Sequence, residues 1–239
     1  QTRNTQPCLF AMELAAAAVL RARGVAPDAA AGFSLGEVVA ATDCGFFTPE
    51  TGFQLVCRRG ELMQREADRF DTAMAAVVKL PDETVRELCG RFEGIYPVNF
   101  NCPGQVSVSG LAARMPDFFA AVKQAGGRAI PLQVKGAFHS PFMQDAARDF
   151  AKELTSADIQ TGTVPLYANK TAQPYAGDVA GLLAQQICSP VLWEATVRNM
   201  IADGIDTFVE IGPGKTLTNM IKKTDPAVSA QTVFEYLGE

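Results

Sequence analysis

A chain of 239 residues, 48% of them hydrophobic, can bury a full core and form one large domain or a large one plus a small one. Its formal net charge of −5 argues against a general nucleic-acid binder, which would be basic. The longest purely apolar run, Leu14 to Leu20, is far too short to cross a bilayer. No secretory signal is visible. The six cysteines (Cys8, Cys44, Cys57, Cys89, Cys102, Cys188) are scattered without a C-x-x-C pair, which predicts reduced thiols in a cytoplasmic protein and neither a disulfide framework nor a zinc site. The chain opens at Gln1 in Thr/Asn/Gln-rich sequence and is expected to be a fragment of a longer protein.

In chain order, Pro7 to Arg23 is Ala-rich and predicts a helix ending before Gly24. Asp28 to Phe33 is a short run of small apolar residues that predicts a strand, and Leu35 to Asp43 predicts a helix. Between them stands Gly32-Phe33-Ser34-Leu35-Gly36, a Gly-x-Ser-x-Gly pentapeptide at a strand-to-helix junction. A sharp turn there lifts a serine hydroxyl clear of the backbone, and flanking glycines supply unusual dihedrals while keeping bulk away from an acyl group. Thr48 and Pro49 predict the cap and first position of a helix running to about Arg65.

The rhythm then changes. Ala73 to Leu80 predicts a strand, Asp82 to Phe92 a helix, Tyr96 to Asn101 and Gln105 to Ser109 two strands, Ala112 to Gln124 a helix, and Arg128 to Val134 a strand. This βαββαβ order is the ferredoxin-like signature. After it come helices from Ser140 to Leu154, Asp178 to Ile187 and Trp193 to Ala202, strands at Val164 to Ala168 and Thr207 to Ile211, and a last helix from Lys215. The expectation is an α/β-hydrolase-like parallel-sheet core, residues 1–70 and 135–239, interrupted by a ferredoxin-like insert over 71–134.

A serine nucleophile needs a base, and the one histidine, His139, lies just past the insert in Gly136-Ala137-Phe138-His139-Ser140. On the helix from Thr51 to Arg65, the apolar stripe of Leu55, Val56, Leu62 and Met63 includes Arg59, while Arg58 falls to one side. A guanidinium on a buried face needs an anion. Either a core carboxylate supplies it as a salt bridge, or it arrives with the substrate, held by two parallel N–H···O bonds.

Together these segments resemble the malonyl-CoA:acyl carrier protein transacylases and the acyltransferase domains of polyketide synthases, over nearly the whole chain. Gly32 to Glu37 is similar to the family's nucleophile motif, Arg59-Gly60 with Met63-Gln64 to its carboxylate-binding helix, and Val98-Asn99-Phe100-Asn101 with Pro103-Gly104-Gln105 to its insert strands. Ala137 to Ser140 resembles its histidine loop, Gln186 with Pro190-Val191 and Trp193 its histidine-orienting segment, and Glu210-Ile211-Gly212-Pro213-Gly214-Lys215 its late turn. The resemblance implies ping-pong transfer of malonyl from malonyl-CoA to the phosphopantetheine thiol of acyl carrier protein, in fatty-acid or polyketide synthesis, with no cofactor of its own. It implies Ser34 as nucleophile, His139 as base, the Gln186 backbone carbonyl as the imidazole's support and the Leu35 amide as oxyanion donor. It implies Arg59 as the malonyl carboxylate's clamp, with Asn99 and Asn101 lining the cleft, and Phe138 crowding out a methyl branch.

The chain departs from the family in two places. The N-terminal Gly-Gln-Gly segment that supplies a second oxyanion amide has no counterpart among these residues, so they alone are expected to turn over ~100- to 1,000-fold more slowly. Phe33 also stands where many members carry histidine. Two competing readings remain at this stage. One is a serine thioesterase or esterase, against which Arg59 argues. The other is a weakened module that only docks acyl carrier protein, for which Lys135, Lys215, Lys222 and Lys223 are the candidate basic rim.

Overall fold

Two kinds of sheet divide this chain: short parallel ladders in its core and one antiparallel sheet in its insert. The computed structural model describes residues 1–238; Glu239, the last residue of the expected core, lies outside the described residues. Helix α1 (Thr2–Ala22) lies against α3 (Pro49–Arg69), burying the stripe Gln6, Phe10, Ala17 and Leu20. It starts earlier than the sequence suggested and runs through Pro7. The Gln6 side chain, donating to the Thr2 hydroxyl at 2.9 Å, ties its opening turn. Helix α3 begins as expected, with Pro49 first and the Thr48 hydroxyl accepting the Thr51 N–H at 3.1 Å.

Strand β1 (Ala30–Ala31) precedes α2 (Leu35–Asp43) and pairs in parallel with β6 (Leu166–Tyr167). Near the C-terminus β7 (Thr207–Glu210) pairs in parallel with β8 (Ser229–Thr232). The expected parallel core is thus two separate ladders of two strands each among the described residues. The strands are shorter than predicted because an Ala-rich segment offers little side-chain surface to a sheet, and the chain leaves strand geometry at the elbow. Strand β8 and helix α10 (Val233–Leu237) were not anticipated; α10 is started by a reciprocal capping box between Thr232 and Glu235.

The insert follows the expected order: β2 (Thr72–Val78), α4 (Asp82–Gly90), β3 (Ile95–Cys102), β4 (Gln105–Leu111), α5 (Met115–Gln124) and β5 (Arg128–Lys135). Its strands lie in the order β3-β4-β2-β5, every pair antiparallel. Val77, Val85, Phe100, Val106, Phe118 and Val122 pack between this sheet and its helices. Strand β3 also reaches back to the core, where Phe100 N–H donates to Val191 O at 2.9 Å and Val191 N–H to Val98 O at 2.8 Å.

The remaining helices, α6 (Gln144–Ser156), α7 (Val179–Gln186), α8 (Trp193–Ala202) and α9 (Thr216–Thr224), complete the core. Its main cluster gathers Phe10, Val38, Val56, Leu62, Phe150 and Ile187, and a second surrounds Trp193. All six cysteines are free. No helix among the described residues is long and apolar enough to cross a membrane.

Candidate active site

The elbow forms because its sequence permits two tight features. Ser34 has φ +55° and caps α2 from a left-handed conformation that L-residues seldom adopt. A Cβ on Gly32 would fall 1.9 Å from the Gly36 carbonyl, so the turn closes only over glycine. Ser34 N–H donates to the Asn169 side-chain oxygen at 2.7 Å. Leu35 N–H, the first of α2, has no acceptor within its helix.

His139 arrives from the loop after β5, also left-handed at φ +59°. Its N–H donates to Ile187 O at 3.1 Å, and its Nδ1 lies 2.9 Å from Gln186 O. A carbonyl can only accept, so Nδ1 carries the proton and Nε2 is the free base. Ser34 Oγ stands 2.7 Å from that Nε2, 105 residues apart in sequence. Burial, and next the charge of Arg59, push the imidazole pKa down to about 4, so it is neutral at pH 7. The loop is braced by Ser140 Oγ donating to Ala137 O at 2.5 Å, and by Ser109 of β4 donating to Phe138 O at 3.4 Å. Phe138 is half-buried against the main cluster.

Arg59 is 1% exposed. Its Nη1 donates to Gln6 Oε1 at 2.6 Å, and its Nη2 donates to Gln186 Oε1 at 2.8 Å and to Ser34 Oγ at 3.2 Å, while Nε has no partner. Each acceptor is neutral. Glu37 acts on the guanidinium only through its field, and burial brings the Arg59 pKa down to about 10. A buried cation held by neutral groups, beside a reactive hydroxyl, is suited to an incoming carboxylate. Arg58 instead lies on the surface, paired with Glu153 at 2.8 Å and Glu61 at 3.1 Å.

Four residues of this network escaped the sequence reading: the Gln6 and Gln186 side chains as Arg59 partners, Glu37 and Asn169. Gln186 Nε2 donates to Ser34 O at 2.6 Å and to Glu37 Oε2 at 2.9 Å. Glu37 is fully buried and also takes the Asn169 N–H at 3.2 Å and the Tyr175 hydroxyl. Burial outweighs these bonds and raises its pKa to about 7. Gln6 carried a legible signal, a polar residue inside the apolar stripe of α1. Asn169 carried none.

Asn99 and Asn101 are 9% and 4% exposed on β3. Asn101 donates to Ser107 Oγ at 3.1 Å, and neither side-chain oxygen has a partner. Neither residue hydrogen-bonds to Ser34, His139 or Arg59 among the described contacts. Lys135, Lys215, Lys222 and Lys223 are exposed, the last three on or beside α9.

Comparison with known proteins bears directly on this constellation. The family model described as acyl transferase domain matches residues 1–238. A malonyl CoA-acyl carrier protein transacylase of Synechocystis sp. is 38% identical over 234 residues, 97% of this chain and 78% of the relative. The crystal structure of a malonyl-CoA:acyl carrier protein transacylase from Xanthomonas oryzae pv. oryzae superposes with a TM-score of 0.96 at 33% identity, covering 100% of this chain and 79% of that one. A malonyl-transacylase in complex with a type II polyketide acyl-carrier protein superposes with a TM-score of 0.94 at 32% identity, covering 97% and 77%.

Proposed function

The chain belongs to the acyl transferase domain family, and from that premise we propose that it transfers a malonyl group from malonyl-CoA to the phosphopantetheine thiol of acyl carrier protein, in fatty-acid or polyketide synthesis. The observation that carries the proposal is Ser34 Oγ held 2.7 Å from a neutral imidazole and 3.2 Å from a buried guanidinium without an acidic contact. The Arg59 guanidinium binds the free malonyl carboxylate. His139 Nε2 takes the hydroxyl proton as Ser34 Oγ attacks the thioester carbonyl, and Gln186 O supports the imidazolium through Nδ1–H.

The tetrahedral oxyanion takes a hydrogen bond from Leu35 N–H. Collapse expels the coenzyme A thiolate, which takes the proton from His139 Nε2 and leaves a malonyl-serine ester. The carrier thiol then gives its proton to His139 and attacks that ester, and Ser34 Oγ leaves with the proton returned. Substrate also tunes the base. Its carboxylate offsets the Arg59 charge, one of the influences that lower the His139 pKa, so an acetyl group leaves both the clamp empty and the base weak.

The two coenzyme-derived thiols come with the substrates, so the reaction as proposed asks for no further cofactor. Asn99, Asn101 and Phe138 are read as the cleft's lining toward the acyl and pantetheine chain, and the exposed lysines around α9 as part of the carrier's docking surface. The architecture is read as an α/β-hydrolase-like core (1–70 and 135–239) with a ferredoxin-like insert (71–134), supported by the antiparallel order β3-β4-β2-β5. The six free thiols favour the cytoplasm.

Intact-mass analysis after exposure to malonyl-CoA tests the proposal. The wild type should hold a malonyl adduct until a carrier thiol is added, and Ser34→Ala should hold none. Arg59→Ala should lower the preference for malonyl over acetyl by ~100-fold or more, since a buried cation no longer waits for its anion. Free malonate released without an adduct would make the chain a hydrolase instead.

A further inference from the structure

We propose that Asn169 is a positioning residue for acyl transfer, its side-chain amide standing in for a strand residue's N–H and C=O to hold the serine elbow in register; this rests on the malonyl-transfer reading above. The β1–β6 ladder ends at the pair Ala31 and Tyr167. In a parallel ladder, a residue donates its own N–H to the carbonyl on one side of the facing residue and accepts, at its own C=O, the N–H from the other side. Asn169 makes that pair of bonds around Phe33 with its side chain. Nδ2 donates to Gly32 O at 2.6 Å, and Oδ1 accepts Ser34 N–H at 2.7 Å.

The main chain is in no position to do so. Asn169 N–H goes to Glu37 Oε2 at 3.2 Å, and its carbonyl accepts Leu192 N–H at 2.9 Å. The segment then turns on itself, with Ala172 N–H donating to Ala168 O at 2.8 Å and Ala172 left-handed at φ +56°. The amide orientation is fixed by its neighbours, because the reverse would set donor against donor and acceptor against acceptor.

The consequence reaches the reacting atoms. With Gln186 Nε2 on Ser34 O at 2.6 Å, both peptide units flanking Ser34 are pinned, one by each carboxamide. Ser34 N–H is thereby committed to Asn169, which leaves Leu35 N–H as the elbow's donor for an oxyanion. It also keeps Ser34 Oγ in line with His139 Nε2. Asn169 is fully buried, so no water can replace either bond.

The test is the rate of Ser34 acylation by malonyl-CoA, followed by rapid mixing and intact mass as a function of pH, in wild type, Asn169→Ala and Asn169→Asp. Malonyl-CoA affinity is measured separately for each in a Ser34→Ala background. Asn169→Ala should acylate ~100-fold more slowly with unchanged affinity, the signature of misplaced reacting groups. In Asn169→Asp the neutral carboxyl can still donate to Gly32 O and accept from Ser34 N–H, whereas the carboxylate repels Gly32 O. Its rate should therefore fall as pH rises, through a limb that the wild type lacks. His139, Arg59, Glu37 and Tyr175 are common to both, so the extra limb belongs to the introduced carboxyl. A wild-type rate in Asn169→Ala, or a wild-type pH profile in Asn169→Asp, overturns the inference. A wild type that forms no adduct overturns the malonyl-transfer reading, and this inference with it. If Asn169→Ala fails to fold, the pH limb of Asn169→Asp decides alone.

Discussion

The insert and the elbow bury side chains to similar depths and for opposite ends. Between the insert's sheet and helices lie Val77, Val85, Val106, Phe118 and Val122, each 1% exposed or less, with the backbone's polar groups answered by the strand ladders. Around the elbow the buried residues are Glu37, Arg59, His139, Asn169 and Gln186, none more than 4% exposed. These are tied to one another by hydrogen bonds from side chains and main chain alike, with Arg59 Nε left without a partner. The first arrangement stabilises by removing apolar surface from water. The second removes polar groups and a charge from water, which costs stability, and gives in return a fixed geometry around one hydroxyl. Both reacting residues also sit at positive φ, strain that such a network can hold.

The difference is tested most strongly by Phe118→Ala. This ring is fully buried and meets Phe92 edge-on, with centroids 5.7 Å apart. Its loss should lower stability by ~3–5 kcal/mol, through lost transfer energy and a cavity. Since the cluster's thiol, Cys89, is pushed up by burial to about 12 and stays protonated over this range, urea titrations at about pH 5.5 and about pH 8 should give the same loss. The folded fraction should still acylate Ser34 at the wild-type rate. A loss that depends on pH would mean that the insert leans on the charged network of the core.

A smaller effect, of the opposite kind, is expected from Glu37→Gln. The Glu37 pKa rises from 4.5 to about 7 on folding, chiefly through burial. The folded state therefore binds the proton more tightly than the unfolded one. Stability contributed by this group is fully present below about pH 4.5 and is lost as pH rises toward about 7. The neutral amide removes that loss. Glutamine can accept from Gln186 and Asn169 through its oxygen and donate to Tyr175 through its nitrogen. Relative to wild type, the variant should gain stability between about pH 5 and about pH 8, by up to ~3 kcal/mol. His139, whose pKa is lowered on folding, has the contrary slope, and Glu13, raised to about 7, has the same slope. Both are shared by the two proteins and cancel in the comparison. A difference that does not change with pH would show that folding leaves the Glu37 pKa unshifted.

The two regions also differed in how far the sequence revealed them. The insert was legible because Gly and Pro punctuate short strands and helices whose partners are near in the chain. Ser34, His139 and Arg59 were legible because each broke a local pattern: a strand-to-helix junction, a lone imidazole, a cation in an apolar stripe. Gln6 broke the stripe of α1 in the same way, and Glu37 is the one carboxyl of the apolar helix α2 that lies inside it. Asn169 could not be found so. Its partner Ser34 is 135 residues away, and asparagine after a short strand is ordinary turn chemistry. The second parallel ladder was half missed because Ser229–Thr232 lacks the apolar alternation of a strand and is recruited by pairing with β7.

The smallest predicted effect asks whether the site is insulated from the helix that carries it. Arg59 rides on α3, whose start is held by the exposed Thr48 cap. Thr48→Ala should lower stability by ~1 kcal/mol, the usual worth of such a cap, read from urea midpoints at constant slope. If α3 is fixed at Arg59 by Gln6 and Gln186, fraying its first turn should leave the malonyl-over-acetyl preference untouched. A changed preference would mean that the guanidinium is aimed by the whole helix and not by the two carboxamides. The clamp would then tighten or loosen with any substitution along α3, and the division between an apolar scaffold and a self-supporting polar centre would not hold.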